Sequence, residues 1–232
     1  ELSEESYFLI GHILNTPFAV QDDPDAYLQS VLDGKTRLAD NKAFQEFAKI
    51  YEAIRDKTSP VLGRSYDEAC GDFATGKTGI IHQGNWCYSM FDNYDVSFDM
   101  KLAPVPVNGN DKICVAVPSA WAVNSQASEA EIAAGKQFIN WLYTSETGTD
   151  YLMNKFGFIP VVEGMTSDSL NPINQSVADY VTDGKTIGWS LNNWPAGIID
   201  TYLAPVAQEF LSTDMSSTEF LNKLNDAFVN AQ

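Results

Sequence analysis

Residues Gly71 to Thr78 read G-D-F-A-T-G-K-T and match the phosphate-loop pattern G-x-x-x-x-G-K-[ST] letter for letter. That chemistry needs a strand before the glycines, so that the loop opens a helix whose first amides meet the phosphates. Here the order is reversed. Ser65-Tyr-Asp-Glu68 is a capping box, and Tyr66, Ala69, Cys70 and Phe73 recur on one face, so a helix comes first. Gly76 stands where a C-cap glycine belongs, and the β-branched run Thr78–His82 reads as a short buried strand. Phosphates would then face the carbonyl end of a helix dipole, which has the wrong sign. A helix-ending glycine followed by a lysine accounts for the same letters.

Three tryptophans carry the next chemistry. Trp86, Trp189 and Trp194 each lie at an element start or in a loop beside small amides, in Gly84-Asn85-Trp86, Gly188-Trp189-Ser190 and Asn192-Asn193-Trp194. A neutral polyol pocket uses this combination: ring faces stack on C–H edges, and amides such as Asn85 and Asn193 take up hydroxyls. Packing between helices would use the same residues. Trp121, in an apolar β run, and Trp141, on an apolar helix face, read as core.

Signatures of other chemistries are missing. No nucleophile elbow or H-E-x-x-H pattern occurs. Cys70, Cys87 and Cys114 form no C-x-x-C pair, and two histidines are too few for a metal cluster without carboxylates, so neither metal nor cofactor is expected. Cys70 reads as a small core hydrophobe. A formal charge of -17 repels phosphate backbones and anionic lipid, which argues against nucleic-acid partners.

The elements that must position these residues alternate helix and strand, an α/β class. Ser3 to Asn15 reads as helical, with Tyr7, Phe8, Ile10, Ile13 and Leu14 spread over most sides of the axis. Asp40 caps an amphipathic helix carrying Phe44, Phe47, Ala48, Tyr51 and Ile54, which the loop at Ser59-Pro60 ends. Val96–Met100 alternates like a strand, Ile113–Val123 is β-rich, and Ser128-Glu-Ala-Glu131 opens a helix with Ile132, Phe138, Ile139, Trp141 and Leu142 on its apolar side. Asn193 caps a helix beginning at Trp194-Pro195, and Ser216 to Glu219 is a third capping box. Proline- and glycine-rich crossings near Pro104 and Pro160 mark where the chain leaves one body and returns.

Taken as a set, Ser65-Tyr-Asp-Glu-Ala, Phe73-Ala-Thr-Gly76-Lys77 and Gly84-Asn-Trp86 resemble the helix, "F-x-x-G-K" and "G-x-W" block of solute-binding proteins from bacterial carbohydrate ABC importers, the maltose-binding-protein-like family. Ala103-Pro-Val-Pro106, Phe138-Ile-Asn-Trp-Leu142 and Gly157-Phe-Ile-Pro160 follow in the family's order. The resemblance implies a type II periplasmic-binding-protein-like fold, two α/β lobes that close on a ligand. It assigns residues 1–104 and 161–232 to the C-terminal lobe and 105–160 to a segment crossing to the N-terminal lobe.

Carried over by position, Trp86 and Trp194 become stacking platforms. Glu5-Ser6-Tyr7-Phe8 is similar to the maltose-type Glu-Pro-Tyr-Phe segment, with serine for proline, which makes Glu5 a hydroxyl acceptor and Tyr7 a ring contact. Tyr66 and His12 are further contacts. The implied function is capture of a sugar outside the cell by a cell-surface lipoprotein or periplasmic protein, for delivery to ABC permease subunits. The same fold binding a peptide or metal chelate, or a glycoside or nucleotide hydrolase, is the alternative. Because family members carry a long segment before the equivalent of Glu5, the chain reads as a C-terminal fragment. Its strand Ile113–Val123 is therefore expected to take a neighbour from a companion chain or symmetry-related copy.

Overall fold

The computed structural model describes residues 1–57, 60–117, 120–159, 161–163, 165, 167 and 170–231. Ser59, Pro160 and positions 118 and 119 of the β-rich run lie outside them. In chain order the helices are α1 (His12–Ala19), α2 (Pro24–Leu32), α3 (Lys42–Lys57), α4 (Tyr66–Ala74), α5 (Glu129–Thr144), α6 (Glu146–Asp150), α7 (Pro172–Thr182), α8 (Ala204–Ser212) and α9 (Ser217–Asn230). Two strands, β1 (Ile113–Cys114) and β2 (Thr186–Ile187), pair in parallel. The fold is α/β but rich in helix. It divides into two compact units, one of residues 1–98, 103–115 and 185–232, the other of residues 99–102 and 116–184.

The first unit is organised around an aromatic core. The spacing that predicts α3 is met: Phe44, Phe47, Ala48 and Tyr51 are fully buried, and Ile54 packs at the edge. The cap is Asn41, one residue beyond Asp40, whose side-chain oxygen accepts the Ala43 N–H at 2.9 Å. Phe18 of α1, Phe210 of α8, and Phe220 and Phe228 of α9 complete the set. Phe18 meets Phe44 edge-on at 4.8 Å, and Phe210 stacks on Phe220 at 4.3 Å. Each such side chain contributes about 1.5–3 kcal/mol on burial, so α1 is anchored firmly along its whole length.

Helix α4 begins and ends as its residues dictate. Ser65 Oγ accepts the Glu68 N–H at 3.3 Å, and Glu68 Oε2 accepts the Ser65 N–H at 2.9 Å. At the other end Gly76 (φ 73°) donates to the Phe73 carbonyl and Lys77 to the Asp72 carbonyl, both at 2.9 Å, a Schellman closure. Lys77 then pairs with Asp72 at 2.8 Å. Gly76 and Lys77 therefore finish a helix rather than open one.

Several strands expected from sequence are absent. Thr78–His82 is extended but has no ladder, and Ile80 is 78% exposed. Its backbone groups go to the first residue instead: the Glu1 ammonium donates to the Ile80 carbonyl at 2.7 Å, and His82 N–H to the Glu1 carbonyl at 3.0 Å. Val96–Met100 likewise joins no sheet. Among its described residues the run Ile113–Val123 is a strand only at Ile113–Cys114, and its neighbour there comes from the chain itself, with Ile113 opposite Thr186 and Cys114 opposite Ile187. A strand extends only as far as a neighbour supplies hydrogen bonds. The helix expected at Trp194 is also displaced. A short 3-10 turn, Ser190–Asn193, comes first, and a π-turn, Ile199–Leu203, leads into α8.

In the second unit, α5 has the predicted capping box, with Glu131 N–H to Ser128 Oγ at 3.4 Å and Ser128 N–H to Glu131 Oε2 at 2.9 Å. Its apolar face is not buried as expected. Leu142 alone is buried, with Leu152 and Met153, while Trp121 is 56% and Trp141 40% exposed. Trp121 rests edge-on against Phe138 at 5.9 Å and donates to the Tyr143 hydroxyl at 3.1 Å. The described residues of this unit supply too few apolar partners to cover both rings.

Candidate functional site

The candidate site grows from the start of α1. Residues Tyr7–Gly11 form a π-turn, in which the His12 N–H bonds the Tyr7 carbonyl five residues back. That wider turn lays residues i and i+5 over one another. The Tyr7 and His12 rings accordingly sit 5.8 Å apart at 61°, and Phe8, four residues before His12, meets it at 5.5 Å. Gly11 keeps the turn close to the core, since a Cβ there would lie 3.0 Å from Ile199 Cδ1.

Two further stretches bring rings to His12. Trp86 lies 5.2 Å away at 57°, and Trp189 lies 5.1 Å away at 70°. Tyr66, the first residue of α4, joins by stacking on Phe8 at 4.8 Å and 24°. Glu5 ties the π-turn to α4 by accepting the Tyr66 N–H at 2.8 Å. Trp86 and Tyr7 are the open rings of the group, 42% and 46% exposed.

Gly84 makes the position of Trp86 possible. The indole folds back over it, and a Cβ at residue 84 would come within 2.2 Å of the ring. The Trp86 Nε1–H donates to Gln83 Oε1 at 3.1 Å, which holds the ring flat in that fold.

The group is uncharged at its centre. Burial pushes the His12 imidazole down to about 4. His82 is pushed down to about 3, first by burial and then by repulsion from His12, and its Nδ1 is buried with no hydrogen-bond partner. Burial also raises the Tyr66 phenol, so it stays a neutral hydroxyl. At Glu5 burial is outweighed by hydrogen bonding, with the Tyr66 N–H donating at 2.8 Å, which holds the carboxyl below its ordinary range and keeps it ionised. The arrangement offers neutral ring faces beside one exposed carboxylate.

Of the residues singled out from sequence, Tyr7, His12, Tyr66, Trp86 and Trp189 come together, with Glu5 attached through Tyr66. The others lie elsewhere. Trp194 is 7% exposed, packed in the core against Phe18 at 5.3 Å and Phe228 at 5.1 Å. Asn193 is exposed and donates to Asp25 Oδ1 at 2.8 Å, and Asn85 is half-buried beside Trp86. Phe8, which links Tyr66 to His12, was not singled out. Its signal was the aromatic pair Tyr7-Phe8 four and five residues before His12. Among the described residues no group of three or more His, Cys, Asp or Glu could hold a metal ion, and no helix is long and apolar enough to cross a membrane.

A family profile described as bacterial extracellular solute-binding protein matches residues 3–176. The chain belongs to that family. No curated protein and no solved structure gives a match. The helix-rich α/β architecture is compatible with the periplasmic-binding-protein type of fold, and family membership places the protein outside the cytoplasm with a small-molecule ligand and a role in transport. The matched region includes Glu5, Tyr7, Phe8, His12, Tyr66 and Trp86; Trp189 lies beyond it.

Proposed function

We propose that this solute-binding protein captures a sugar or oligosaccharide outside the cell and hands it to the permease subunits of an ABC importer. The observation that carries the reading is the ring group around His12, drawn from three separate stretches and left open at Trp86 and Tyr7. In this reading Trp86 is the stacking platform, Tyr7 and Trp189 flank it, and Glu5 accepts sugar hydroxyls. A pyranose suits such a surface because its C–H faces are apolar and its rim is polar. An anionic solute is disfavoured by the chain's net charge of -17, by the neutral imidazole and by the Glu5 carboxylate. The test is a thermal-shift screen of the protein against neutral mono- and oligosaccharides, with peptides and ferric chelates alongside. The reading expects stabilisation by at least one sugar; stabilisation by peptides or chelates alone would replace it.

A further inference from the structure

One branch of a side chain at the ring group is left unused. Gln83 directly precedes the glycine over which Trp86 folds, and its Oε1 accepts the Trp86 Nε1–H at 3.1 Å. An indole nitrogen only donates, so the oxygen of the amide must face it and the nitrogen must take the outer branch. That Nε2 group carries two N–H donors. It makes no hydrogen bond to a described residue and is not among the buried polar atoms sealed from solvent without a partner. The oxygen and nitrogen of one amide lie about 2.2 Å apart, which puts Nε2 within about 5.3 Å of the indole nitrogen.

We propose that Gln83 is a specificity-determining contact of the sugar site: its Oε1 holds the indole, and its Nε2 donates to an acceptor oxygen on the rim of a pyranose stacked on that indole. The inference rests on the sugar reading and supplies a donor which that reading lacks. A pyranose laid on a ring face turns its C–H groups to the ring and carries its oxygens around its rim. The Trp86 Nε1–H points outward from the indole edge, so the amide that accepts it sits at that edge and meets the rim rather than the apolar face. Glu5, as an ionised carboxylate, can only accept hydrogen bonds. A sugar oxygen both donates and accepts, and Gln83 Nε2 answers its accepting side.

The amide is held in place before any sugar arrives. On its N-terminal side the His82 N–H donates to the Glu1 carbonyl at 3.0 Å. On its C-terminal side the Cys87 N–H donates to the Gly84 carbonyl at 3.2 Å, and Ser89 Oγ donates to the Trp86 carbonyl at 3.3 Å, closing the start of the 3-10 segment Asn85–Asn93. The Gln83 side chain between these points is half-buried and tied at its oxygen. Ring and amide therefore constrain each other, since neither can turn without breaking the bond between them. A donor ordered in this way gives up less freedom on binding than a loose side chain would.

Two variants separate the two ends of the amide. Gln83→Glu keeps an acceptor for the indole N–H and turns the outer donor into a second acceptor; Gln83→Met removes both. Wild type and variants are titrated calorimetrically with di- and trisaccharides of glucose, galactose, mannose and xylose, and the Trp86 indole proton is followed by NMR. In Gln83→Glu that proton should stay as slow to exchange as in the wild type, while affinity for the probe that binds the wild type best falls about 10-fold or more. In Gln83→Met the proton should exchange faster and affinity should fall further. A residue that only props the ring would give wild-type affinity in Gln83→Glu and a loss in Gln83→Met alone, and that result overturns the proposal. So does a loss in Gln83→Glu accompanied by a freed indole proton, since the amide would then act through the ring. Failure of every probe on the wild type removes the sugar reading and this inference with it; wild-type affinity in Gln83→Glu removes this inference alone.

Discussion

Replacing Gly84 with alanine should move Trp86 while leaving the fold intact. The backbone at residue 84 has φ -104° and ψ -178°, extended values that alanine adopts freely. The added Cβ, however, would lie 2.2, 2.3 and 2.6 Å from three atoms of the Trp86 ring, far inside contact distance. The ring is the movable partner and must swing away. It then loses its contact with His12 at 5.2 Å and its hydrogen bond to Gln83 at 3.1 Å. An aromatic pair is worth about 0.5–1.5 kcal/mol and a hydrogen bond about 0.5–1.5 kcal/mol. Loss of glycine's freedom in the unfolded chain returns roughly 0.4–1 kcal/mol. The net cost is therefore at most about 2–3 kcal/mol and leaves a folded protein.

His12 reports the movement without any ligand. Its imidazole is held at about 4 by burial, and the Trp86 ring is one of the four that pack against it. In Gly84→Ala the His12 value should climb from about 4 toward 6.5, read by NMR titration of the imidazole proton, and tryptophan emission should shift red as the indole gains solvent. Gly84→Ala with an unchanged His12 titration and unchanged emission would show that the ring does not lie over Gly84 and would refute the construction of the site.

Two further outcomes follow from the same structure. Stability should fall as pH drops from about 6.5 to about 4, because His12 and His82 are depressed in the folded state and the unfolded chain binds the extra protons in that window. Carboxylates held below their ordinary range, such as Asp72 beside Lys77 and Arg64, add a second loss only under more acidic conditions; Tm measured against pH should lose part of the upper slope in His12→Gln. Asn15→Ala should cost about 2–4 kcal/mol, seen as a Tm drop of roughly 5–10 °C. Asn15 is fully buried, donates to Cys114 Sγ at 3.1 Å and the Gly188 carbonyl at 3.3 Å, and accepts the Leu191 N–H at 3.0 Å, so alanine leaves backbone groups unsatisfied on both sides of it. An unchanged Tm would contradict that assignment.

The parts of this protein that local chemistry decides could be read from its residues. The capping boxes at Ser65 and Ser128, the apolar period of α3 and the glycine that ends α4 each depend on neighbours within a few positions. The strands could not, because a β segment needs a partner that local pattern does not supply. Ile80 and Ile81 have the β-branched character of a buried strand, yet their segment pairs with Glu1 rather than with a strand, and Ile80 faces solvent. The tryptophans divide in the same way. Trp194 has the same flanking amides as Trp86, but its neighbours in space are Phe18 and Phe228, contributed by helices far along the chain. Convergence on His12 was visible only in part, since the i and i+5 pairing of Tyr7 with His12 requires a π-turn that no sequence period announces.

The account stands most directly on the affinity of the wild-type protein and of Trp86→Ala for a sugar found in the thermal-shift screen, measured by titration calorimetry. Trp86 is 42% exposed, so its removal should leave the fold in place. A saturable 1:1 isotherm for the wild type, weakened at least 30-fold in Trp86→Ala (about 2 kcal/mol or more, the scale of an aromatic anchor), is the predicted result. Equal affinity in the two proteins would contradict the claim that the rings around His12 form the binding surface.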